Sequence, residues 1–272
     1  MLFDCHCHTP NSHDANTNLQ DICQNAIEKG IAGVAFTDHC DLEYAHEKDV
    51  FSCILKSVAD ANAMQKAFAG RLQVFRGVEI CEFIYNPEAA RKAITMADYD
   101  VILGSIHSVR FGELRDPFVY IDFSQFCEAQ IPAYLQAYFK DMLETVQNFD
   151  FDILCHFTIP LRYICGKYGY NVNMEAFAPQ IDEILRTVIQ KGIAVECNTA
   201  NINPNTVQYC PDCKILARYY ALGGRKVTLG ADAHVPQNVG RYLPWAVEQL
   251  KQIGFSGAYY FKNRQAIYYD FC

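Results

Sequence analysis

The chain has 272 residues, 51% apolar and 20% charged, which is enough apolar material for one large core and too ordinary a balance for disorder. Its formal net charge of −8 argues against the broad Lys and Arg surface that holds a nucleic-acid backbone. The first residues lack the basic and apolar regions of a secretory leader, no apolar run has the ~20 residues of a membrane span, and 13 scattered cysteines read as reduced thiols. The expectation is a cytoplasmic protein with no nucleic-acid or membrane partner, its oligomeric state left open.

The first β-rich run is LFDCHCHT, residues 2–9. Side chains alternate along a strand, so Asp4, His6 and His8 are expected on one face, with Phe3, Cys5 and Cys7 on the other, the cysteines buried against helices. Leu19, Ile22, Cys23, Ala26 and Ile27 then recur at helical spacing and stop at Gly30. Further β-rich runs follow at 33–39, 72–80, 101–107, 151–157, 193–199 and 226–234, with a second clear helix through Ile131, Tyr134, Leu135, Tyr138, Met142 and Val146. Seven strands alternating with helices predict parallel pairing through helical crossovers. YYF at 259–261 and the tail IYYDFC read as a closing strand and packing, and CPDC at 210–213 as a loop with two incidental thiols.

An open sheet and a closed barrel both satisfy that alternation, and the polar residues decide between them. His6, His8, His39, Glu79, His107, His156, Asp232 and His234 fall at or just past the C-terminal ends of six different strands. A β/α barrel builds its site there, whereas an open sheet gathers ligands at one switch point. Burying so many polar groups without a shared partner costs several kcal/mol, and a cluster of divalent ions removes that penalty.

The motifs DCHCHT, FTDH, GVEI, GSIH, LCHF and GADAH, in this order, resemble those of the PHP family, named after polymerases and histidinol phosphatases. TDHCDL, ECNT and ILARYYALGGRKVTLGADAH place the resemblance nearest the histidinol-phosphatase branch, and it covers essentially the whole chain. The resemblance implies one α/β domain over residues 1–272, a distorted seven-stranded (β/α)7 barrel, with two or three Zn, Mn or Fe ions at the C-terminal strand ends. It assigns His6, His8, Glu79 and Asp232 to a first ion, and Glu79, His107 and His156 to a second, with Glu79 bridging. Asp14, His39 and His234 go to a third, His13 being one residue off the family's spacing. Glu79, His107 and Asp232 would form the catalytic core.

The implied activity is that of a metal-dependent phosphatase in histidine biosynthesis. Its partner would be a small phosphorylated substrate, histidinol phosphate foremost, hydrolysed by attack of a metal-bridging hydroxide. Asp41, His46 and His13 are candidates for protonating the leaving group. Arg162 is the first choice for the phosphate clamp and Arg110 the second, because a guanidinium matches phosphate geometry. The family carries an arginine in E-L-N-T-S-G-x-R, but this chain reads ECNTANIN and puts Asn203 there. Either Arg162, Arg225 or another basic residue compensates, or the substrate differs. Loops at 108–121, 158–175 and 200–213 are expected to form the pocket rim. Hydrolysis of a phosphodiester or an amide on the same scaffold, and a noncatalytic metal-binding module, are the alternatives.

Overall fold

Valine, isoleucine, leucine and phenylalanine crowd the seven β-rich runs, and all seven form strands in the computed structural model, which describes residues 1–16, 18–44, 49–200 and 210–271. They are β1 (Leu2–Cys7), β2 (Ile31–Phe36) with its continuation β3 (His39–Asp41), β4 (Gln73–Cys81), β5 (Val101–Ser105), β6 (Ile153–Leu154), β7 (Ala194–Asn198) and β8 (Val227–Gly230). The pairing is parallel throughout, in the order β1-β2-β4-β5-β6-β7-β8, with β3 also on β4 so that His39 lies opposite Glu79. Cys7 bridges to Ala233 beyond β8, and the His8 N–H donates to the Ala233 carbonyl at 3.0 Å. The sheet is therefore a nearly closed barrel of seven parallel strands, as expected.

The crossovers carry α1 (Leu19–Glu28), α2 (Val50–Ala67), α3 (Pro87–Thr95), α4 (Gln130–Asn148), α5 (Ala178–Lys191) and α6 (Cys213–Ala221), and α7 (Leu243–Ile253) follows the last barrel strand. Side-chain caps at Asn18, Asp49, Asn86 and Asp212 satisfy free N–H groups at four helix starts. CPDC thus serves as a helix entry, and no disulfide joins any of the described cysteines. No helix among them is long and apolar enough to cross a membrane.

An apolar shell packs strands against helices, and a smaller one fills the barrel with Phe3, Cys5, Ala35, Phe75, Leu103, Ile153, Cys155 and Ala194. A C-terminal hairpin, β9 (Gly257–Lys262) with β10 (Gln265–Asp270), plugs the end away from the expected site. Phe3 stacks on Tyr260 with ring centroids 4.0 Å apart, and Phe261 joins the inner shell. The tail is a pair of strands where the sequence suggested one closing strand.

Strict alternation fails on β1, whose register shifts between Asp4 and Cys7. Phe3 and Cys5 face the barrel interior, while Cys7 joins the outer shell. Asp4 turns outward with Cys7, accepting hydrogen bonds from the Ala231 N–H at 2.9 Å and the Gly240 N–H at 2.8 Å. It does not share a face with His6 and His8. The irregularity acts as a β-bulge, which re-aims side chains beyond it, and both imidazoles thereby reach the barrel mouth.

Candidate metal centre

Every predicted ligand arrives at the mouth of the barrel. His6 and His8 bring their Nε2 atoms within 3.1 Å of each other. His6 Nε2 lies 3.4 Å from Glu79 Oε2 and 3.6 Å from Asp232 Oδ1, and His8 Nε2 3.7 Å and 3.1 Å from the same two oxygens. His107 and His156 approach the other Glu79 oxygen, Oε1, at 3.4 Å and 2.8 Å, with their own Nε2 atoms 3.3 Å apart. Asp14 Oδ2 lies 3.6 Å from His39 Nε2 and 3.1 Å from His234 Nε2, and His39 Nδ1 lies 2.9 Å from Glu79 Oε2. The geometry brings the three expected groups together around one carboxylate.

Nearly all of this is buried, and burial sets the charges. Burial, with His39 and His234 nearby, pushes His8 down to about 3. Burial pushes His107 down to about 4 against the pull of Glu79. For Glu79 burial acts upward, but His39, His6 and His107 outweigh it and hold the carboxyl well below its usual range. His6 goes the other way: burial would lower it, but Glu196, Asp232 and Glu79 raise it well above an ordinary histidine. Against burial, nearby carboxylates raise His39 and His234 as well, so in these three rings a bound ion would take the place of a proton, while the neutral imidazoles of His8 and His107 and the ionised Glu79 are already in the state that ligates divalent ions.

The arrangement fits such ions on its own atoms. Two pairs of buried imidazoles aim Nε2 at Nε2, and each pair can share at most one hydrogen bond. Glu79 is fully buried, and around its Oε2 stand three ring nitrogens, His39 Nδ1 at 2.9 Å and the Nε2 atoms of His6 and His8 at 3.4 and 3.7 Å. His156 and Asp232 hold positive φ, 30° and 50°, in a region non-glycine residues seldom occupy. Cations among these atoms satisfy them together.

Three residues that orient the ligands were not singled out in the sequence. Glu196 places Oε1 2.8 Å from His6 Nδ1, and its Oε2 accepts from the His156 N–H at 2.8 Å and from Asn198 at 3.1 Å. It fixes which ring nitrogen of His6 faces the centre. Gly230 makes room for it, because a Cβ there would lie 1.9 Å from Glu196 Oε1. Ser12 Oγ sits 3.0 Å from His8 Nδ1 and donates to Asp38 at 2.8 Å, and Asp38 also takes both the N–H and the hydroxyl of Thr9 at 2.6 Å. The ECNT and TDH motifs contain Glu196 and Asp38, but only the fold shows that Glu196 touches the His6 ring and that Asp38 reaches His8 through Ser12.

A cavity of about 700 Å³ opens above the ligands, lined by His13, Asp41, Glu43, Arg162, Tyr163 and Arg241, with Pro117–Tyr120, Ile159 and Ala200 from the expected rim. Arg162 is exposed there, its guanidinium 5.6 Å from the Tyr163 ring centre, and among the described residues no carboxylate pairs with it. Arg110 does not line the cavity. Its guanidinium is taken by Asp141 at 2.7 Å and Glu144 at 2.5 Å, tying the loop after β5 to α4. Arg225 bonds the carbonyls of Tyr220 and Gly224 ahead of β8, at the opposite end of the barrel. Arg241, which the sequence did not single out, also lines the cavity from the segment after β8, with its guanidinium 4.7 Å from the Tyr242 ring centre and bonded to the Tyr242 hydroxyl at 3.2 Å. Asp41 Oδ2, also lining the cavity, lies 3.6 Å from His13 Nδ1, whereas His46 and Asn203 fall outside the described residues.

The PHP domain pattern matches residues 4–200. A probable histidinol-phosphatase of Clostridium acetobutylicum is 28% identical over 97% of this chain and 98% of its own. The histidinol-phosphatase of Lactococcus lactis is 27% identical, covering 97% of this chain and 98% of its own. The crystal structure of histidinol phosphate phosphatase from Lactococcus lactis, complexed with zinc, L-histidinol and phosphate, superposes with a TM-score of 0.76 at 23% identity over 98% of both chains.

Proposed function

The chain belongs to the PHP domain family, and on that premise we propose that it is a metal-dependent phosphatase acting on a small phosphomonoester, histidinol phosphate foremost. The observation that carries the reading is Glu79, whose two carboxylate oxygens each face a separate group of imidazoles beneath a cavity with two arginines on its wall. When bound, divalent ions there supply Lewis-acid stabilisation and a water that ionises near neutral pH.

The protein's own side chains do the rest. Glu196 and Ser12 hold His6 and His8 in one orientation. Arg162 and Arg241 offer planar donor forks to the oxygens of a phosphate, the arrangement in which charge-assisted bonds are strongest. Arg241 supplies a further cation that offsets the family arginine replaced by Asn203. Asp41 and His13, also lining the cavity, are placed to handle the proton of the leaving alkoxide. Relatives named histidinol-phosphatase match almost end to end and support that substrate.

The test is phosphate release by the metal-loaded protein from histidinol phosphate and other small phosphomonoesters, with phosphodiesters and amides alongside. Turnover of the monoesters, histidinol phosphate among the best, is the expected result. No phosphate release from any ester would refute the reading.

A further inference from the structure

The second group of ligands contains only three expected atoms, Glu79 Oε1, His107 Nε2 and His156 Nε2. Zinc takes four or five donors, so beside a bound water there is room for one more protein atom. The residue preceding His156 is Cys155, fully buried in the barrel interior directly beneath that group. Its Sγ lies 3.5 Å from Glu79 Oε1 and 3.6 Å from His156 Nε2. We propose that Cys155 is a further ligand of the ion held by Glu79, His107 and His156, giving that position a mixed sulfur, nitrogen and oxygen donor set.

The distances support this quantitatively. Zinc bonds of about 2.3 Å to sulfur and about 2.0–2.2 Å to nitrogen or oxygen make tetrahedral edges of roughly 3.5–3.6 Å to sulfur and roughly 3.3–3.5 Å between the lighter atoms. The two sulfur edges are 3.5 and 3.6 Å, the edge between His107 and His156 is 3.3 Å, and that between His107 and Glu79 is 3.4 Å. Of these five edges, the one between His156 and Glu79, at 2.8 Å, is shorter, the length of a hydrogen bond.

Proton counting points the same way. A thiol has one proton, yet this sulfur faces the Gly104 carbonyl at 3.2 Å, Glu79 Oε1 at 3.5 Å and His156 Nε2 at 3.6 Å. It can donate to one of them. A cation between sulfur, carboxylate and imidazole serves the last two at once. Cys155 approaches from below, and zinc tolerates a fifth ligand, so substrate retains access from the cavity. A thiolate also biases the position toward zinc and away from manganese.

The inference rests on an ion occupying this second position, and zinc-edge X-ray absorption of the zinc-loaded full chain separates the two questions. The expected result is a sulfur shell at about 2.3 Å in the wild type, retained in C81S and lost in C155S. Cys81 is the control because its Sγ is also near the centre, 3.9 Å from His39 Nδ1. Cobalt-loaded protein should show a sulfur charge-transfer band with the same dependence on the two variants. Stoichiometric zinc without sulfur in the wild type overturns the inference and leaves the metal centre standing. Sulfur lost in C81S, or surviving in C155S, overturns it too. Failure to bind zinc at all refutes the centre itself. If C155S does not fold, C155A takes its place, and the wild-type and C81S spectra still decide.

Discussion

Five imidazoles lie within 3.7 Å of the Glu79 carboxylate, at 2.8, 2.9, 3.4, 3.4 and 3.7 Å. Glu79→Gln keeps the volume and removes the charge that holds two ligand groups together. Turnover should fall on the order of 10³-fold or more, with loss of bound metal, because both charge stabilisation and nucleophile generation depend on the ions. A fully metallated Gln variant with near wild-type turnover would exclude Glu79 as the shared ligand. The three arginines should then separate by what each guanidinium touches. Arg162→Ala and Arg241→Ala each remove a contact facing the cavity and should cost about 30- to 1000-fold in kcat/KM. Arg110→Ala should leave kcat/KM nearly unchanged and lower the Tm instead, since Asp141 and Glu144 already take its charge. Kinetics and melting of the three variants check the assignment, and a catalytic loss confined to Arg110→Ala would reverse it. Glu196→Gln should weaken metal binding by about 10- to 100-fold, measured by competition with a chelating dye, as expected for an orienting partner of a ligand histidine.

Among the elements, the C-terminal hairpin carries a stability role that its sequence does not announce. Asp100 accepts hydrogen bonds from the Arg76 backbone N–H at 2.9 Å, from its side chain at 3.0 Å, and from the Asn263 N–H in the hairpin turn at 3.0 Å. Burial would raise its carboxyl, but the Arg76 and Asn263 bonds outweigh burial and lower it. A folded value below the unfolded one means stability that is present at neutral pH and lost as pH falls below about 4. Asp100→Asn should therefore melt lower than wild type at pH 7, with the gap narrowing toward pH 3; a gap independent of pH would contradict the role. The hairpin was hard to read because its anchors, Asp100 and Arg76, are more than 150 residues away in the chain. The strand phase at β1 was hidden for a similar reason. A one-residue irregularity leaves no mark in DCHCHT, yet it decides that Asp4 pins Ala231 and Gly240 while His6 turns to the ions. Arg110 looked suitable because it follows GSIHS, and only α4 shows that two carboxylates claim it.

Across the whole molecule, what could be read was what repeats along the chain, and what could not was what the fold brings together. Strand ends with histidines or site carboxylates recur in six places, so barrel class and the end that bears the site followed from local pattern, and the assignment of ligands to ions from the family resemblance. Arg241 and Glu196 depend on the closing of β8 onto β1 and on the β7–β8 neighbourhood, which no local window contains. The ligands also connect the architecture: β1, β3, β4 and the segments following β5, β6 and β8 all contribute to one centre. Ions bound there act on the folded state as a shared cross-link that the unfolded chain cannot match. Binding at 100 times Kd adds about 2.7 kcal/mol, which for a chain of this size raises the Tm by several degrees. Removing metal with a chelator should thus lower the Tm and broaden hydrogen exchange first at the C-terminal strand ends, while the apolar interior around Phe3, Phe75 and Tyr260 stays protected. Restoring zinc should restore both. A Tm and an exchange pattern indifferent to the chelator, in protein shown to have lost its metal, would mean that the barrel is held by its two apolar shells alone and that the buried histidines find enough partners in one another.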